Sequence, residues 1–341
     1  MITVVLDAYG ADYSPTEPVK GAVMAVNAQP DLHVIITGKE QEILKVLNDN
    51  KADLSRFTII DAPDVITNED VPTVAIKQKT NSSLVKAIDE ARLNPNVYGM
   101  VSGGSTGAVL TGAFIRIGRI KGVSRPALCP LLPTVIDDKE IAIVDSGANV
   151  DCKPINLVHF AIMGNAYLKH ILKVDRPKVA LLSNGTEDKK GNDLVHSTFP
   201  LLKQLDELNF IGNVEARSLL FGDADVVVAD GFAGNVLLKS TEGAIEAFQK
   251  LLKIKIKKSV KAMFGSLFLK GVFKQLKNKL DYNKRPGAVL LGTKKVVVKA
   301  HGSAKAECFK ECILQVVKIA EAKLCEVIAE EVAKVELDIN E

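Results

Sequence analysis

Short, mainly apolar runs alternate along the chain with longer amphipathic stretches. The runs at 3–6, 32–37, 58–61, 99–102, 141–145, 178–182, 210–211, 226–229 and 296–300 predict strands. Apolar positions recurring every three to four residues predict helices over 17–29, 40–47, 82–92, 106–117, 153–169, 193–208, 235–252 and 304–332. Strands that are nearly continuously apolar are buried on both faces. Their alternation with helices therefore predicts an α/β fold, a parallel sheet covered on both sides.

In such a sheet, ligands collect outside the carboxyl ends of the strands. Six strand ends carry glycine together with an acid, amide, hydroxyl or cation. They read DAYGAD from Asp7, SGGSTGA from Ser102, DSGANVD from Asp145, SNGTEDKKGN from Ser183, DGFAGN from Asp230 and AHGSAK from Ala300. Glycine and asparagine are ordinary turn residues. Turn chemistry alone does not account for six such loops on one edge.

With 341 residues, 47% of them hydrophobic, the chain can bury a large core, which excludes disorder. Aromatic residues are 5% and tryptophan is absent, so a base-stacking nucleic-acid surface has little to work with, and a net charge of +3 adds little. There is no uncharged apolar run of about 18 residues, and MITVVLDAYG has no basic region ahead of its apolar run. The expectation is a cytoplasmic protein. Its five cysteines, an odd number, are expected as reduced thiols. Cys308 and Cys312 share a helix face, with no further Cys or His at ligand spacing.

The loops differ in what they can hold. SGGSTG lacks the spacing of a dinucleotide fingerprint, and the GxxxxGK[ST] phosphate loop is absent. Ser105 and Thr106 open a predicted helix, whose N-terminus favours an anion or a polarised carbonyl; an ordinary N-cap is the alternative. In DSGANVDCKP a carboxylate serves best as a strut or cap, ahead of a metal site built by Asp145 and Asp151 with Asp7 or Asp12. SNGTEDKKGN has the glycine, hydroxyl, amide and ammonium groups that hold an anion. Lys189 and Lys190 diverge as neighbours. Lys190 adjoins Gly191 and Asn192, with Thr186 one turn back. His301, the next residue after a strand end, is a candidate acid or base against the more common structural histidine.

Taken together, LDAYGADYSP, KQKTNSS, SGGSTGA, DSGANVDCKP, SNGTEDKKGN, NFIGNVEAR, DVVVADGFAGNVLLKSTEG and GAVLLGTKKVVVKAHGSA resemble the phosphate acyltransferase family. Those bacterial enzymes convert acyl-[acyl-carrier protein] and inorganic phosphate into acyl phosphate for phospholipid synthesis. The motifs run in order through nearly the whole chain. Two depart from the usual pattern: DAYGAD stands for DAMGGD, and Gly104-Ser105-Thr106-Gly107 for GNTG, which leaves the backbone of that loop to serve without an asparagine amide.

The resemblance implies a Rossmann-like α/β/α sandwich akin to phosphotransacetylases and isopropylmalate dehydrogenases, a single domain over 1–341, and a homodimer. It implies no cofactor, neither metal nor nucleotide. Phosphate is already an oxygen nucleophile at neutral pH, and the sequence has no GxSxG elbow. Lys190, Thr186 and Asn192 are then the phosphate holders, Asn235 donates to the thioester carbonyl or phosphate, and His301 is placed to protonate the departing thiolate. Asp7, Gly10, Ser105, Thr106 and Asn149 join the substrate site by the same resemblance, as do Glu187 and Gly234. Two alternatives stay open: a phosphotransacetylase-like enzyme acting on acyl-CoA, and a non-enzymatic scaffold recruited to membrane.

Residues 250–285 hold twelve Lys or Arg against the single acid Asp281, so a local +11 leaves −8 for the rest of the chain. Phe264, Leu267, Phe268 and further apolar residues recur at spacings of three and four between the lysines. This basic amphipathic insertion is expected to bind anionic membrane peripherally, with acidic acyl-carrier protein as a second partner for the same lysines. A dimer or core helix with a solvated basic face is the alternative.

Overall fold

The computed structural model describes residues 2–280 and 285–335. Two sheets divide the strands. The seven-stranded sheet runs in the order β3 (Phe57–Asp61), β2 (Leu32–Gly38), β1 (Ile2–Asp7), β4 (Val97–Ser102), β12 (Val296–Lys299), β11 (Ala288–Leu291) and β5 (Ala127–Cys129). The five-stranded sheet runs β6 (Leu131–Pro133), β7 (Glu140–Val144), β10 (Val226–Val228), β8 (Lys178–Ser183) and β9 (Asn209–Glu215).

Both sheets have a parallel centre. β3, β2, β1, β4 and β12 are mutually parallel, as are β7, β10, β8 and β9. The sequence leads one to expect a single parallel sheet. Instead β11 pairs antiparallel with both β12 and β5, and β6 pairs antiparallel with β7. β5 and β6 flank Pro130, and through them the chain passes from one sheet to the other.

Twelve α-helices occur among the described residues: α1 (Thr16–Ala28), α2 (Glu40–Asp49), α3 (Pro72–Gln78), α4 (Ser83–Leu93), α5 (Thr106–Gly112), α6 (Pro154–Ile171), α7 (Asp193–Lys203), α8 (Gly231–Lys257), α9 (Val260–Phe268), α10 (Lys270–Leu280), α11 (Ala306–Glu321) and α12 (Leu324–Ala333). α6 is buried along most of its length, from Asn156 to Leu168, because it packs on β7 and β10 and also on α7 and α12. The helix expected over 304–332 is two helices, broken where Lys323 takes a left-handed φ of 50°. α7 ends at Lys203, short of the expected 208, while α8 begins and ends outside 235–252.

The described part of the basic segment, through Leu280, is helical, and neither of its glycines breaks it. Gly265 lies within α9 and Gly271 near the start of α10, and the breaks fall at Lys258–Ser259, where α8 ends, and at Leu269. No residue of α9 or α10 is buried. The base of α10 is tied down by Lys279, which pairs with Asp137 at 2.6 Å. Arg285 pairs with Glu140. Asp281, the segment's one acid, lies with 282–284 outside the described residues.

Candidate active site

Parallel pairing sends the loops after β1, β4 and β12 out side by side from one sheet. The loops after β7, β10 and β8 leave the other sheet in the same way. All six polar loops singled out in the sequence are therefore strand-end loops of these two parallel centres.

On the seven-stranded sheet the loops are braced from within. Asp7 is buried; it accepts a hydrogen bond from Ser102 Oγ at 2.7 Å and one from the Tyr9 N–H at 3.2 Å. Ser102 Oγ in turn accepts from the Gly104 N–H at 3.1 Å, so one carboxylate fixes both loops. Burial raises the Asp7 pKa to about 6, against the hydrogen bonds of Ser83, Ser102 and Tyr9. Gly10 has a φ of +83°, and a Cβ there would stand 2.7 Å from the Gly104 backbone. Only glycine lets these two loops touch.

Ser105 makes no capping bond with its side chain, and Thr106 beside it is exposed. Below them, the buried ammonium of Lys299 donates to the carbonyls of Gly103 and Ala300. Burial lowers its pKa to about 8, partly opposed by the Cys312 and Asp7 groups nearby. His301 follows. Its Nδ1 accepts from the Ser303 N–H at 3.3 Å and lies 2.8 Å from Ser303 Oγ, which assigns the proton of the neutral ring to Nε2. Burial pushes the His301 pKa down; Lys239 and Lys299 push it the same way, against Glu242 and Asp12. Near pH 7 the ring is neutral. Lys239 sits on α8, so that helix reaches from the five-stranded sheet to the strand ends of the other.

On the five-stranded sheet Asp145 is fully buried, and its carboxylate accepts five hydrogen bonds. They come from the N–H groups of Leu128, Ser146, Ala148 and Asn149 and from Asn149 Nδ2. Its role is that of a strut at the junction of the two sheets, and among the described residues no three His, Cys, Asp or Glu side chains gather to hold a metal ion. The Asn149 amide is also committed, to Pro126 O at 2.7 Å and to Asp145. Asp230 caps α8 by accepting from the Ala233 N–H at 2.8 Å. A Cβ on Gly234 would overlap the Asp145 carbonyl oxygen, so glycine is required for α8 to approach the strut. Asn235, the next residue, is exposed, with its carboxamide against Gly147.

β8 lies beside β10, with Leu181 opposite Val228, so its loop emerges next to the start of α8. Thr186, Glu187, Lys189 and Lys190 are all exposed. A Cβ on Gly185 would stand 2.7 Å from Lys190 Cγ, which places the Lys190 side chain across the bare face of that glycine. Asn192 caps α7 through Oδ1, accepting from the Val195 N–H at 3.0 Å. Lys189 instead offers its carbonyl to His196 Nε2 at 3.0 Å.

The structure thus groups exposed Lys190, Thr186 and Asn235 on one sheet edge and His301 with Thr106 on the other. Asp7, Asn149 and Gly234 lie beneath, where they shape the loops. Lys239, Lys299 and Ser303 were missed from sequence. Lys239 stands one helical turn beyond Asn235, a spacing that puts both on one face.

Comparison with known proteins identifies the family. A family model described as "Fatty acid synthesis protein" matches residues 2–327. A putative phosphate acyltransferase of Clostridium perfringens is 44% identical over 335 residues, 98% of each chain. The phosphate acyltransferase of Dictyoglomus thermophilum is 42% identical over 332 residues, 97% of this chain and 98% of its own. The chain belongs to the phosphate acyltransferase family. It is accordingly an acyltransferase. Among solved structures, a phosphotransacetylase from Streptococcus pyogenes superposes with a TM-score of 0.61 and the EutD phosphotransacetylase from Staphylococcus aureus with 0.58. Each is 18% identical and covers 94% of both chains. The phosphotransacetylase-like fold expected from the family resemblance is the one observed.

Proposed function

We propose that this enzyme transfers a fatty acyl group from an acyl-[acyl-carrier protein] thioester to inorganic phosphate, giving acyl phosphate for phospholipid synthesis, and works as the homodimer that the resemblance implies. The observation that carries this reading is the juxtaposition of the Lys190 loop with Asn235 at adjacent strand ends, a cation and an amide donor on one edge. Lys190 and Thr186 hold the phosphate. A phosphate oxygen attacks the thioester carbon, the C–O bond forms, and the carbonyl oxygen takes up negative charge that Asn235 stabilises. Collapse breaks the C–S bond and the thiolate leaves. A neutral imidazole is a weak acid, so His301 contributes an Nε2–H hydrogen bond to the developing charge; the thiolate itself is a good leaving group.

The test mixes the protein with acyl-carrier thioester and with acyl-CoA, each with and without phosphate, and follows thiol release. Phosphate-dependent release from the carrier is expected. Release from acyl-CoA alone would move the enzyme to the phosphotransacetylase-like reading, and release from neither would end both.

The same proposal includes reversible attachment to anionic membrane through α9 and α10. Phe264 is 64% exposed, Leu267 66% and Phe268 91%, and lysines surround them. No helix among the described residues is long and apolar enough to cross a membrane. Each lysine near an anionic surface contributes on the order of 1 kcal/mol, so a few suffice. The protein should sediment with anionic vesicles at low salt, less so at high salt, and less when Phe264, Leu267 and Phe268 are made polar. Indifference to anionic vesicles at low salt would assign this surface to another copy of the chain or to the carrier protein.

A further inference from the structure

We infer that Asn213 is a positioning residue that sets the geometry of Lys190; the inference rests on the phosphate-holding role proposed for that lysine. Asn213 belongs to β9, the strand outside β8, and its side chain is 8% exposed. Its Nδ2 donates to the Glu187 carbonyl at 2.9 Å and, over a longer 3.5 Å, to that of Lys190. The Lys190 N–H donates to the same Glu187 carbonyl at 3.0 Å. The backbone of Lys190 is therefore held at both its nitrogen and its oxygen, and Glu187 O is the shared acceptor. Both partners of the Asn213 amide in the loop are carbonyl oxygens, so nitrogen is the atom that must face them.

The strand is built to aim this side chain. Val179 pairs with Phe210 and Leu181 with Asn213, so three steps on β9 match two on β8. The extra residue is accommodated at Gly212, whose φ is +94° and whose missing Cβ would meet nothing within 4 Å. Glycine is there for its backbone conformation and not for space. A bulge of this kind redirects the following side chain. The GN pair of NFIGNVEAR thus reads as one device: Gly212 makes the bulge and Asn213 uses it to clamp the loop of the preceding strand. Lys190 is exposed, and a fixed backbone keeps its methylenes across Gly185, so that the ammonium they carry stays presented to an anion.

The test compares parent, Asn213→Ala, the isosteric Asn213→Asp, Lys190→Ala and the double variant Asn213→Ala/Lys190→Ala, each checked for thermal unfolding. Losing the clamp should raise the KM for inorganic phosphate about tenfold while the KM for the acyl donor stays within twofold. Asn213→Asp should be at least as impaired, because its carboxylate faces two carbonyl oxygens. In the Lys190→Ala background Asn213→Ala should add less than twofold, since the residue acts through the lysine. Amide hydrogen exchange at 186–191, measured without substrate, should quicken in both single Asn213 variants. Unchanged exchange, an additive double variant, or equal KM shifts for the two substrates would overturn the inference. Absence of turnover in the parent would instead count against the proposed reaction, leaving the exchange measurement to judge the clamp.

Discussion

Lys190→Ala lowers kcat/KM for phosphate by about a hundredfold or more and leaves thermal unfolding unchanged. Lys190 is exposed in the free protein and makes no ion pair among the described residues, so its removal leaves no buried partner unsatisfied. In the complex the same ammonium would face a phosphate anion from which the acyl donor has displaced water. A charge-assisted contact under those conditions contributes a few kcal/mol, against tenths in open water. Lys189→Ala is the internal control, because that side chain diverges from its neighbour and its residue serves the structure through its carbonyl, the acceptor for His196. Lys190→Arg should recover only part of the loss: a planar guanidinium is longer and its donors are fixed in a fork, where the ammonium is a compact point charge. Initial rates of thiol release over a range of phosphate concentrations measure all three. Small and equal effects at 189 and 190 would remove Lys190 from the site.

The strand-end chemistry was legible because it depends on one-dimensional signals. The apolar runs that become β1, β2, β4, β7, β8, β10 and β12 lie within one or two residues of their observed limits, since burial on both faces leaves few polar positions inside them. The loops that follow could be ranked from residue types alone. What escaped lay in three dimensions. β5 and β6 have three residues each, too few to show a period, and they carry the passage between two sheets. The helix break at Lys323 is invisible because lysine is a good helix former and the apolar spacing continues through it. Within the site, sequence could not say which polar groups point inward. Asp7 and Asn149 carry the same functional groups as exposed catalytic residues, yet their hydrogen bonds are consumed by the loops they brace. Lys299 ends a run of valines and could have signalled its burial, since a lysine on a strand apolar on both faces has nowhere else to go.

Asn235→Ala should reduce kcat about a hundredfold with little change in the KM for phosphate. The side chain is exposed on the fifth residue of α8, so its loss removes no buried hydrogen bond, and alanine is the better helix former; thermal unfolding should stay level or rise slightly. Under the proposed mechanism its value lies in the transition state. The thioester carbonyl is a weak acceptor in the ground state and becomes an oxyanion as phosphate adds, so a fixed amide donor stabilises the second far more than the first. Such a donor must be held before the reaction. Here Gly234 brings α8 against the Asp145 carbonyl, Asp230 caps the helix, and the carboxamide rests on Gly147, so the donor is set by the same strut that joins the two sheets. Asn235→Asp makes the sharper test, because it keeps the size and replaces the donor with a negative charge near both phosphate and the developing oxyanion; it should fall below the alanine variant. The two defects should appear in kcat from saturating thiol-release rates, in contrast to the clamp at Asn213, which should appear in the phosphate KM. A carboxylate variant as active as the parent would show that no negative charge develops beside residue 235, and oxyanion stabilisation would have to be sought at the start of α5.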